Sequence, residues 1–500
     1  MRRWGVNRLD VLRASALFLI FAVVYLFSTG AHAYSVDEIT NYASARFLVE
    51  YGSPDLRIDD PFPGSQLMKA THTDGERVSS RYGLLAWLPL APLYALASTV
   101  GPSPEPPSPT FPETSHVLPL VVLLFNPMVA AALVASIYML ARQIGLRGRY
   151  ALCAAVIAGV GSPLWVYSKT LSSIPLASIF MVGAMLGIAR ARRGDLWPVS
   201  VSGLAAGVVA AVRPEYAVLA VVLLPTLMFA LKGLLRHRIP AALVWIASWF
   251  AVVAPGVGLY NLYKTGSILH SGYGDQTFLW QTAKSYIGVF GILASPSFGL
   301  LVFMPVAALG FWGLLCGDGD KVVRYAMAAL AIIAVVGYGT FNDWEGGVVW
   351  GPRYLTGVTP LLAVGVGALL QTRSFGLPGW LAIAGLTSWG VANSVLGVLV
   401  DFQHGWRNLW DVGAKAEQIV WNPHFSLIGA HLRLLEQWRD GLIGLDLYLL
   451  HKISVWTIPL VAAALALLVA GWAALEIRSS IERKVAPMIE TYAGVRTPEP

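Results

Sequence analysis

Apolar runs of roughly twenty residues recur from one end of the chain to the other, with short polar segments between them. An α-helix of that length crosses the hydrocarbon core of a bilayer, which is about 30 Å thick. The composition agrees with this, since 56% of the residues are hydrophobic and only 13% are charged, against about 25% charged residues in soluble domains. The sequence therefore predicts an all-α polytopic membrane protein.

Twelve of these runs predict transmembrane helices, and they comprise residues 11–30, 118–141, 151–166, 173–190, 197–212, 216–231, 239–260, 298–315, 325–341, 354–370, 378–400 and 456–475. A further apolar segment, 83–100, contains Pro89 and Pro92, and proline removes a helical hydrogen bond and kinks or breaks a helix. We expect this segment to be a re-entrant or interfacial element packed against protein. It would then begin and end on the external side, and the loop 101–116 that follows it would lie on that side too.

The polar segments between the spans are of two kinds. Short basic segments belong on the cytoplasmic side by the positive-inside rule, and they are Arg142 to Arg149, Arg190 to Arg193, Lys232 to Arg238, Lys321 to Arg324, Arg373, and Arg478 to Lys484. The other segments carry carboxylates, aromatic residues and isolated cations. Strict alternation puts these outside and both termini in the cytoplasm of a multi-pass plasma-membrane protein. The net charge of +7 therefore reflects membrane orientation and predicts no nucleic-acid partner.

The N-terminal segment has two interpretations. Its first ten residues are basic, an apolar core follows, and Ala31, His32 and Ala33 have the small-x-small form of a signal-peptidase site. We expect an uncleaved signal anchor, because the first helix would then hold the polar stretch that follows it at a fixed depth relative to the membrane.

Polar external segments that are far apart in the sequence share one face of the membrane. They include the loop 31–82, the turns that follow residues 166 and 212, and the loops 342–353 and 401–455. A polar site that converges at this face is the simplest reason for such an arrangement.

Asp37 and Glu38 are the first candidates for chemistry, because they follow the first membrane exit directly. A carboxylate at that depth can act as a general base and take a proton from an acceptor hydroxyl or amine. The alternative is a solvated pair that caps a helix. A divalent ion held by Asp37, Glu38 or a histidine is left open by the sequence, in which neither the histidines nor Cys153 and Cys316 have metal-ligand spacing.

Three isolated cations also fall on the external side, namely Lys169, Arg213 and Arg353. Cations are disfavoured there by the positive-inside rule. One alternative is that a lone cation at a helix end extends to the lipid headgroups and has no specific ligand. A guanidinium group also matches two phosphate oxygens at once. A lipid-borne phosphate would lie at this depth, so we expect the three cations to bind one.

Carboxylates and aromatic rings near these cations suit the binding of a sugar. We expect contacts with substrate from Tyr167, Glu215, Asp343, Glu345 and Tyr354. The same residue types occur in interfacial aromatic belts, and so do the tryptophans of the loop 401–455, where residues 431–442 resemble an interfacial helix. No nucleotide-binding loop or nucleophile elbow appears in a plausible context.

Several short motifs occur in order and on one face. They are the Asp37–Glu38 pair after the first span, the basic turn 142–149, the turn 167–175 that begins Y-S-K-T-L, the R-P-E-Y run at Arg213, and W-G-P-R-Y-L at Trp350. Over roughly residues 1–370, this pattern resembles the GT-C class of integral membrane glycosyltransferases, which includes protein O-mannosyltransferases and aminoarabinose transferases.

The resemblance implies a GT-C-like bundle and an inverting transfer of a monosaccharide from a polyprenyl-phosphate donor to a lipid, glycan or protein acceptor at the external or periplasmic face. It implies that Asp37 is the base or a carboxylate that positions the acceptor, and that the external cations hold the donor phosphate. Lys169 departs from the pattern, because related members often carry an arginine and an acidic residue there. We expect a catalytic module at 1–370 and C-terminal helices with a cytoplasmic tail at 371–500.

Two other functions stay open at this point. A transporter or flippase for a lipid-linked sugar would place ionisable groups and inverted repeats near the middle of the bilayer, whereas the polar residues here cluster at helix ends. An assembly factor without catalysis would keep the architecture without the chemistry.

Overall fold

The computed structural model describes residues 7–30, 32–56, 69–71, 78–100, 120–191, 195–232, 235–272, 285–438 and 446–447. The predicted span 456–475, the basic tail 478–484 and the segment 101–116 lie outside these residues. The helices are α1 Arg8–Phe27, α2 Val36–Tyr51, α3 Leu84–Trp87, α4 Leu90–Val100, α5 Leu120–Gln143, α6 Gly148–Val160, α7 Leu164–Ser168, α8 Ile174–Ala191, α9 Leu196–Val212, α10 Ala220–Ala230, α11 Leu235–Val253, α12 Tyr260–Thr265, α13 Ser285–Ala294, α14 Leu300–Phe303, α15 Val306–Cys316, α16 Lys321–Gly339, α17 Arg353–Thr356, α18 Thr359–Thr372, α19 Leu377–Leu399, α20 Phe402–Asp411, α21 Ala416–Trp421 and α22 Leu427–Trp438.

Six helical segments in the described part of the chain are long and apolar enough to cross a membrane, and they are Arg8–Phe27, Leu124–Gln143, Ile174–Ala191, Arg238–Thr265, Lys321–Gly339 and Leu377–Leu399. Every other predicted span within the described residues coincides with one or two shorter apolar helices. The prediction of an all-α polytopic membrane protein is confirmed. The shorter helices arise where a span is interrupted, for example between α14 and α15 at Pro305.

Small residues allow the helices to pack closely. A side chain placed at Gly310 of α15 would lie 2.2 Å from the backbone oxygen of Leu362 in α18. A side chain at Gly365 of α18 would lie 2.0 Å from the backbone oxygen of Gly310. The two helices therefore touch backbone to backbone, which is how membrane helices gain packing without a hydrophobic driving force between them.

The segment 83–100 forms the two short helices α3 and α4, with a break at Leu88 and Pro89. Trp87 and Tyr94 of this segment are buried in a small second core with Tyr42 and Phe47 of α2. The apolar character of the segment is thus used in packing against α2, as expected for an element packed against protein.

Helix α2 places the acidic pair. The hydroxyl oxygen of Ser35 accepts a hydrogen bond from the backbone N–H of Glu38 at 3.4 Å and starts the helix, and Gly52 ends it with a φ of 70°. Asp37 and Glu38 therefore occupy the first turn, where the helix dipole favours negative charge. Two antiparallel strands, β1 Lys69–Thr71 and β2 Val78–Ser80, pair with each other, and the second leads to Tyr82.

Candidate active site

A single pocket brings together most of the predicted site residues. Its empty space is about 530 Å³, counting the solvent at its mouth. Six predicted residues line it, and they are Asp37, Glu38, Tyr167, Arg213, Glu215 and Arg353. They come from the first turn of α2, from α7, from the turn after α9, and from the start of α17. The predicted convergence therefore extends over more than 300 residues of sequence.

Asp37 is held through both of its carboxylate oxygens. The guanidinium group of Arg353 binds Oδ2 in an ion pair, and the hydroxyl group of Tyr82 donates to Oδ1. Burial opposes ionisation, but the charge and hydrogen bond of Arg353, together with the Tyr82 hydrogen bond, lower the pKa of Asp37 below its usual value. Asp37 is therefore an ionised carboxylate that faces the pocket.

Arg353 is positioned by a glycine-rich turn. Its Nη1 donates to the backbone oxygen of Gly346 at 3.2 Å, and Gly346 and Gly347 have φ angles of 82° and 77°. These angles lie in the left-handed region, which residues other than glycine adopt only at a cost in free energy. Burial lowers the pKa of Arg353 and the Asp37 charge raises it, with a net increase.

The tryptophan of the W-G-P-R-Y-L motif is internal and supports the same turn. The indole of Trp350 stacks on the ring of His431 with centroids 4.2 Å apart, and its backbone oxygen accepts a hydrogen bond from the hydroxyl of Tyr167 at 2.9 Å. Tyr167 thus connects α7 to the segment that carries Arg353. This bond explains how a predicted substrate contact also serves the architecture of the pocket.

Glu38 has a different environment from Asp37, although the two are neighbours. Its Oε2 accepts hydrogen bonds from the backbone N–H groups of Tyr34 and Leu171, both at 3.0 Å, and Ser35 donates to Oε1 at 3.3 Å. The residue is only 3% exposed, and burial raises the pKa of Glu38 to about 7 despite these donors. Glu38 therefore ties the start of α2 to the turn after α7 and changes charge near neutral pH.

Arg213 and Glu215 form a second ion pair on the pocket wall. The Nε of Arg213 lies 2.8 Å from Oε1 of Glu215, and the hydroxyl of Tyr338 donates to the same oxygen at 3.2 Å. Tyr338 stacks in parallel on Tyr354 with centroids 4.4 Å apart. Tyr354 thus packs against the tyrosine that binds Glu215, and it is not among the residues that line the pocket.

Lys169 lies in a separate buried cluster. Its Nζ is 2.6 Å from Oδ2 of Asp446 and donates to the backbone oxygen of Val398 at 2.8 Å. Asp446 also accepts from the hydroxyl of Tyr34 at 2.7 Å and is 3.0 Å from Nε2 of His32. The ammonium group is fully buried, so the structure places Lys169 in an internal ion pair and does not bring it to the pocket.

The remaining predicted residues lie outside the pocket lining. Asp343 is exposed, and Glu345 is half-buried, with a pKa that burial raises. In the described part of the chain, no group of three or more His, Cys, Asp or Glu side chains is arranged to hold a metal ion. The contacts of Asp37 and Glu38 do not fit a shared metal, because one carboxylate is bound to Arg353 and the other to backbone N–H groups.

Sequence reasoning did not identify Tyr82 or Phe402, which both line the pocket. Tyr82 is 45 residues from Asp37, and the sequence pattern contains no signal that pairs them. Phe402 starts α20, beyond residue 370, so the C-terminal part of the chain also contributes to the pocket.

No protein-family model matches the sequence, and no curated protein matches it either. Several solved structures are similar to this fold, among them the following two. One is ArnT from Cupriavidus metallidurans bound to undecaprenyl phosphate, with 16% identity, 98% of this chain and 81% of that chain covered, and a TM-score of 0.49. The other is the oligosaccharyltransferase from Archaeoglobus fulgidus in its apo form, with 9% identity and a TM-score of 0.43.

The match with the oligosaccharyltransferase covers 82% of this chain and 58% of the other. The present chain therefore corresponds to little more than half the length of that protein. At these identities and TM-scores, neither similarity assigns an activity to the chain.

Proposed function

We propose that this chain is a membrane glycosyltransferase of the GT-C class, which transfers a monosaccharide from a polyprenyl-phosphate donor to an acceptor at the external membrane face. One observation carries the proposal: an ionised carboxylate, Asp37, and two guanidinium groups, Arg213 and Arg353, line one pocket of a helical membrane protein. A base and a phosphate site are the two parts that such a transfer requires.

The chemistry follows from the positions of these charges. Asp37 accepts the proton of an acceptor hydroxyl or amine while that group attacks the anomeric carbon of the sugar. The bond between this carbon and the phosphate oxygen breaks, and its electron pair leaves with the polyprenyl phosphate. Attack opposite the leaving group inverts the anomeric centre. Fixed guanidinium groups stabilise the charge that develops on the departing phosphate.

The phosphate role belongs to Arg213 and Arg353 in this proposal, and Lys169 supports the fold. Lys169 already has a carboxylate partner that is buried with it, and moving it would leave Asp446 without that cation. Glu215 and Tyr167 line the same pocket, and the proposal assigns contacts with the sugar to them. The acceptor is a lipid, a glycan or a protein, and the surrounding membrane lipids hold the polyprenyl chain of the donor.

The test uses the purified protein in lipid nanodiscs with radiolabelled undecaprenyl-phosphate hexose, pentose and aminopentose donors and a membrane extract as the source of acceptor. We expect one donor class to lose its label to an acceptor and to release undecaprenyl phosphate. The proposal is wrong if the folded protein consumes none of these donors and binds no undecaprenyl phosphate.

A further inference from the structure

In the pocket, the two groups that transfer needs are bound to each other. Arg353 is the ion-pair partner of Asp37, so neither group is available for its part in the reaction. We propose that the donor phosphate takes Arg353 away from Asp37, so that binding of the donor itself releases the base. This inference rests on the proposed function and adds the order in which the site is assembled.

The contacts of Asp37 allow this exchange without loss of its position. Arg353 holds Oδ2, whereas Tyr82 holds Oδ1. If the guanidinium group turns to a phosphate, Tyr82 still fixes the carboxylate, and Oδ2 becomes the free proton acceptor. Tyr82 is therefore a positioning residue, and it determines which of the two oxygens receives the proton.

Arg353 can change its partner without leaving the pocket. Its Nη1 is anchored on the backbone oxygen of Gly346, and the ion pair with Asp37 is made through Nη2. A rotation about this anchor changes the partner of Nη2 alone. A guanidinium group binds phosphate at least as readily as carboxylate, because its planar donors match two phosphate oxygens.

The exchange also strengthens the base when it is needed. The charge and hydrogen bond of Arg353 lower the pKa of Asp37, while burial acts in the opposite direction. When the guanidinium group moves to an incoming anion, burial is no longer opposed to the same extent, and the negative phosphate adds to the rise. Asp37 is therefore a weak base in the empty pocket and a stronger one beside the donor.

Competition between Asp37 and phosphate for one guanidinium group has a measurable consequence. Removing the charge of Asp37 removes the competitor, so phosphate should bind more tightly. Coupling between two sites of this kind is typically about 5- to 150-fold in affinity. A residue that merely stabilises the fold would not increase affinity when it is removed.

The experiment measures binding of undecaprenyl phosphate to the full chain in nanodiscs at pH 8.5, by competition with a fluorescent undecaprenyl-phosphate analogue. We expect Asp37→Asn to bind at least 5-fold more tightly than the wild type. Glu38→Gln is the matched control, because it also removes a pocket carboxylate, at the adjacent position, but one whose hydrogen bonds go to Tyr34, Ser35 and Leu171. Thermal unfolding of each variant verifies that it is folded.

Arg353→Met, alone and combined with Asp37→Asn, completes a double-mutant cycle. We expect it to weaken binding and to abolish the gain from Asp37→Asn in the double variant, because both effects act through one guanidinium group. Unchanged or weaker binding by folded Asp37→Asn would overturn the exchange, as would an equal gain in Glu38→Gln. Sugar transfer by the wild type would leave the proposed function standing in that case. A wild type that neither binds undecaprenyl phosphate nor transfers sugar would contradict the proposed function itself.

Discussion

Asp37 and Glu38 are neighbours in the sequence, and their surroundings shift their pKa values in opposite directions. At Asp37 burial is outweighed by the charge and hydrogen bond of Arg353 together with the Tyr82 hydrogen bond, and the pKa is lowered. At Glu38 burial outweighs the hydrogen-bond donors and raises the pKa to about 7. Carboxylates whose environments separate their pKa values commonly have different roles. We assign proton transfer to Asp37 and positioning of the α2 start to Glu38.

The pKa of Glu38 predicts how stability depends on pH. Its folded value of about 7 lies above the ordinary 4.5, so the folded protein holds this proton more tightly than the unfolded chain. The associated stability is present below about pH 4.5 and is lost as the pH rises through 7. The loss is on the order of 3 kcal/mol. Glu38→Gln keeps an oxygen for the N–H groups of Tyr34 and Leu171 and has no charge.

We therefore expect the unfolding temperature of the wild type to decrease between pH 5 and pH 8 by more than that of Glu38→Gln in detergent. Other titrating groups contribute to both proteins equally and cancel in this comparison. Identical pH dependence of the two proteins would contradict the assignment of a raised pKa to Glu38.

At the scale of structural elements, the glycine-rich turn before α17 determines where Arg353 lies. Gly346→Ala and Gly347→Ala both introduce a side chain at a positive φ, which costs about 1–2 kcal/mol per residue. Only Gly346 offers its backbone oxygen to Arg353. A side chain at Gly347 meets nothing within 4 Å, so Gly347→Ala is the control for strain alone.

We expect both variants to lose about 1–2 kcal/mol of stability, and only Gly346→Ala to lose transfer activity, by about 10-fold or more. The measurements are thermal unfolding and initial rates of transfer at saturating donor. The added side chain at Gly346 would lie 3.4 Å from Cβ of Arg353. Equal activities of the two variants would therefore show that the turn at Gly346 does not determine the position of Arg353.

The cluster around Asp446 connects three elements: the segment before α2, the end of α7 and the C-terminal part of the chain. Asp446→Ala would leave the buried ammonium group of Lys169 without its carboxylate. Breaking a buried ion pair on one side costs about 3–5 kcal/mol, whereas replacing both partners by apolar residues is often neutral. We expect the single variant to unfold at a much lower temperature. Lys169→Met with Asp446→Leu should recover only part of the loss, because Tyr34 and His32 also lose their Asp446 partner. A loss below about 1 kcal/mol in Asp446→Ala would contradict a structural ion pair.

At the scale of the whole molecule, local sequence patterns predicted the helices, whereas tertiary contacts determine which side chains pair with each other in the pocket. Apolar runs and prolines are read residue by residue, so the spans and the break in the segment 83–100 could be predicted. Six residues that line the pocket could also be predicted, because each lies in a polar segment between spans on the same predicted face. They are Asp37, Glu38, Tyr167, Arg213, Glu215 and Arg353.

Partners that are distant in the sequence could not be predicted. Lys169 and Arg353 look alike as isolated external cations, yet Lys169 pairs with Asp446, 277 residues away, and Arg353 pairs with Asp37, 316 residues away. Composition and spacing contain no information about which carboxylate reaches which cation. The division of the chain at residue 370 stays a prediction, although Phe402 contributes to the pocket.

The external position of the pocket is a prediction about orientation and can be tested by labelling. In a chain whose two cysteines are replaced by serine, Ser108→Cys should react with a membrane-impermeant maleimide in intact cells, because the segment 101–116 is predicted to lie outside. Arg147→Cys, in the basic turn 142–149, should react only after permeabilisation. The reverse pattern would invert the predicted topology.

The central claim is that Asp37 is the base, and turnover by Asp37→Asn tests it most directly. Asparagine keeps the shape of the side chain, and its single oxygen can accept from Tyr82 or from Arg353, but it cannot take up the proton. General-base assistance contributes typically about 10²- to 10⁴-fold in rate. We expect initial rates of transfer at saturating donor to decrease by that factor with folding near that of the wild type, and Glu38→Gln to lose much less. Turnover by folded Asp37→Asn within about threefold of the wild type, far inside the range for general-base assistance, would contradict the assignment.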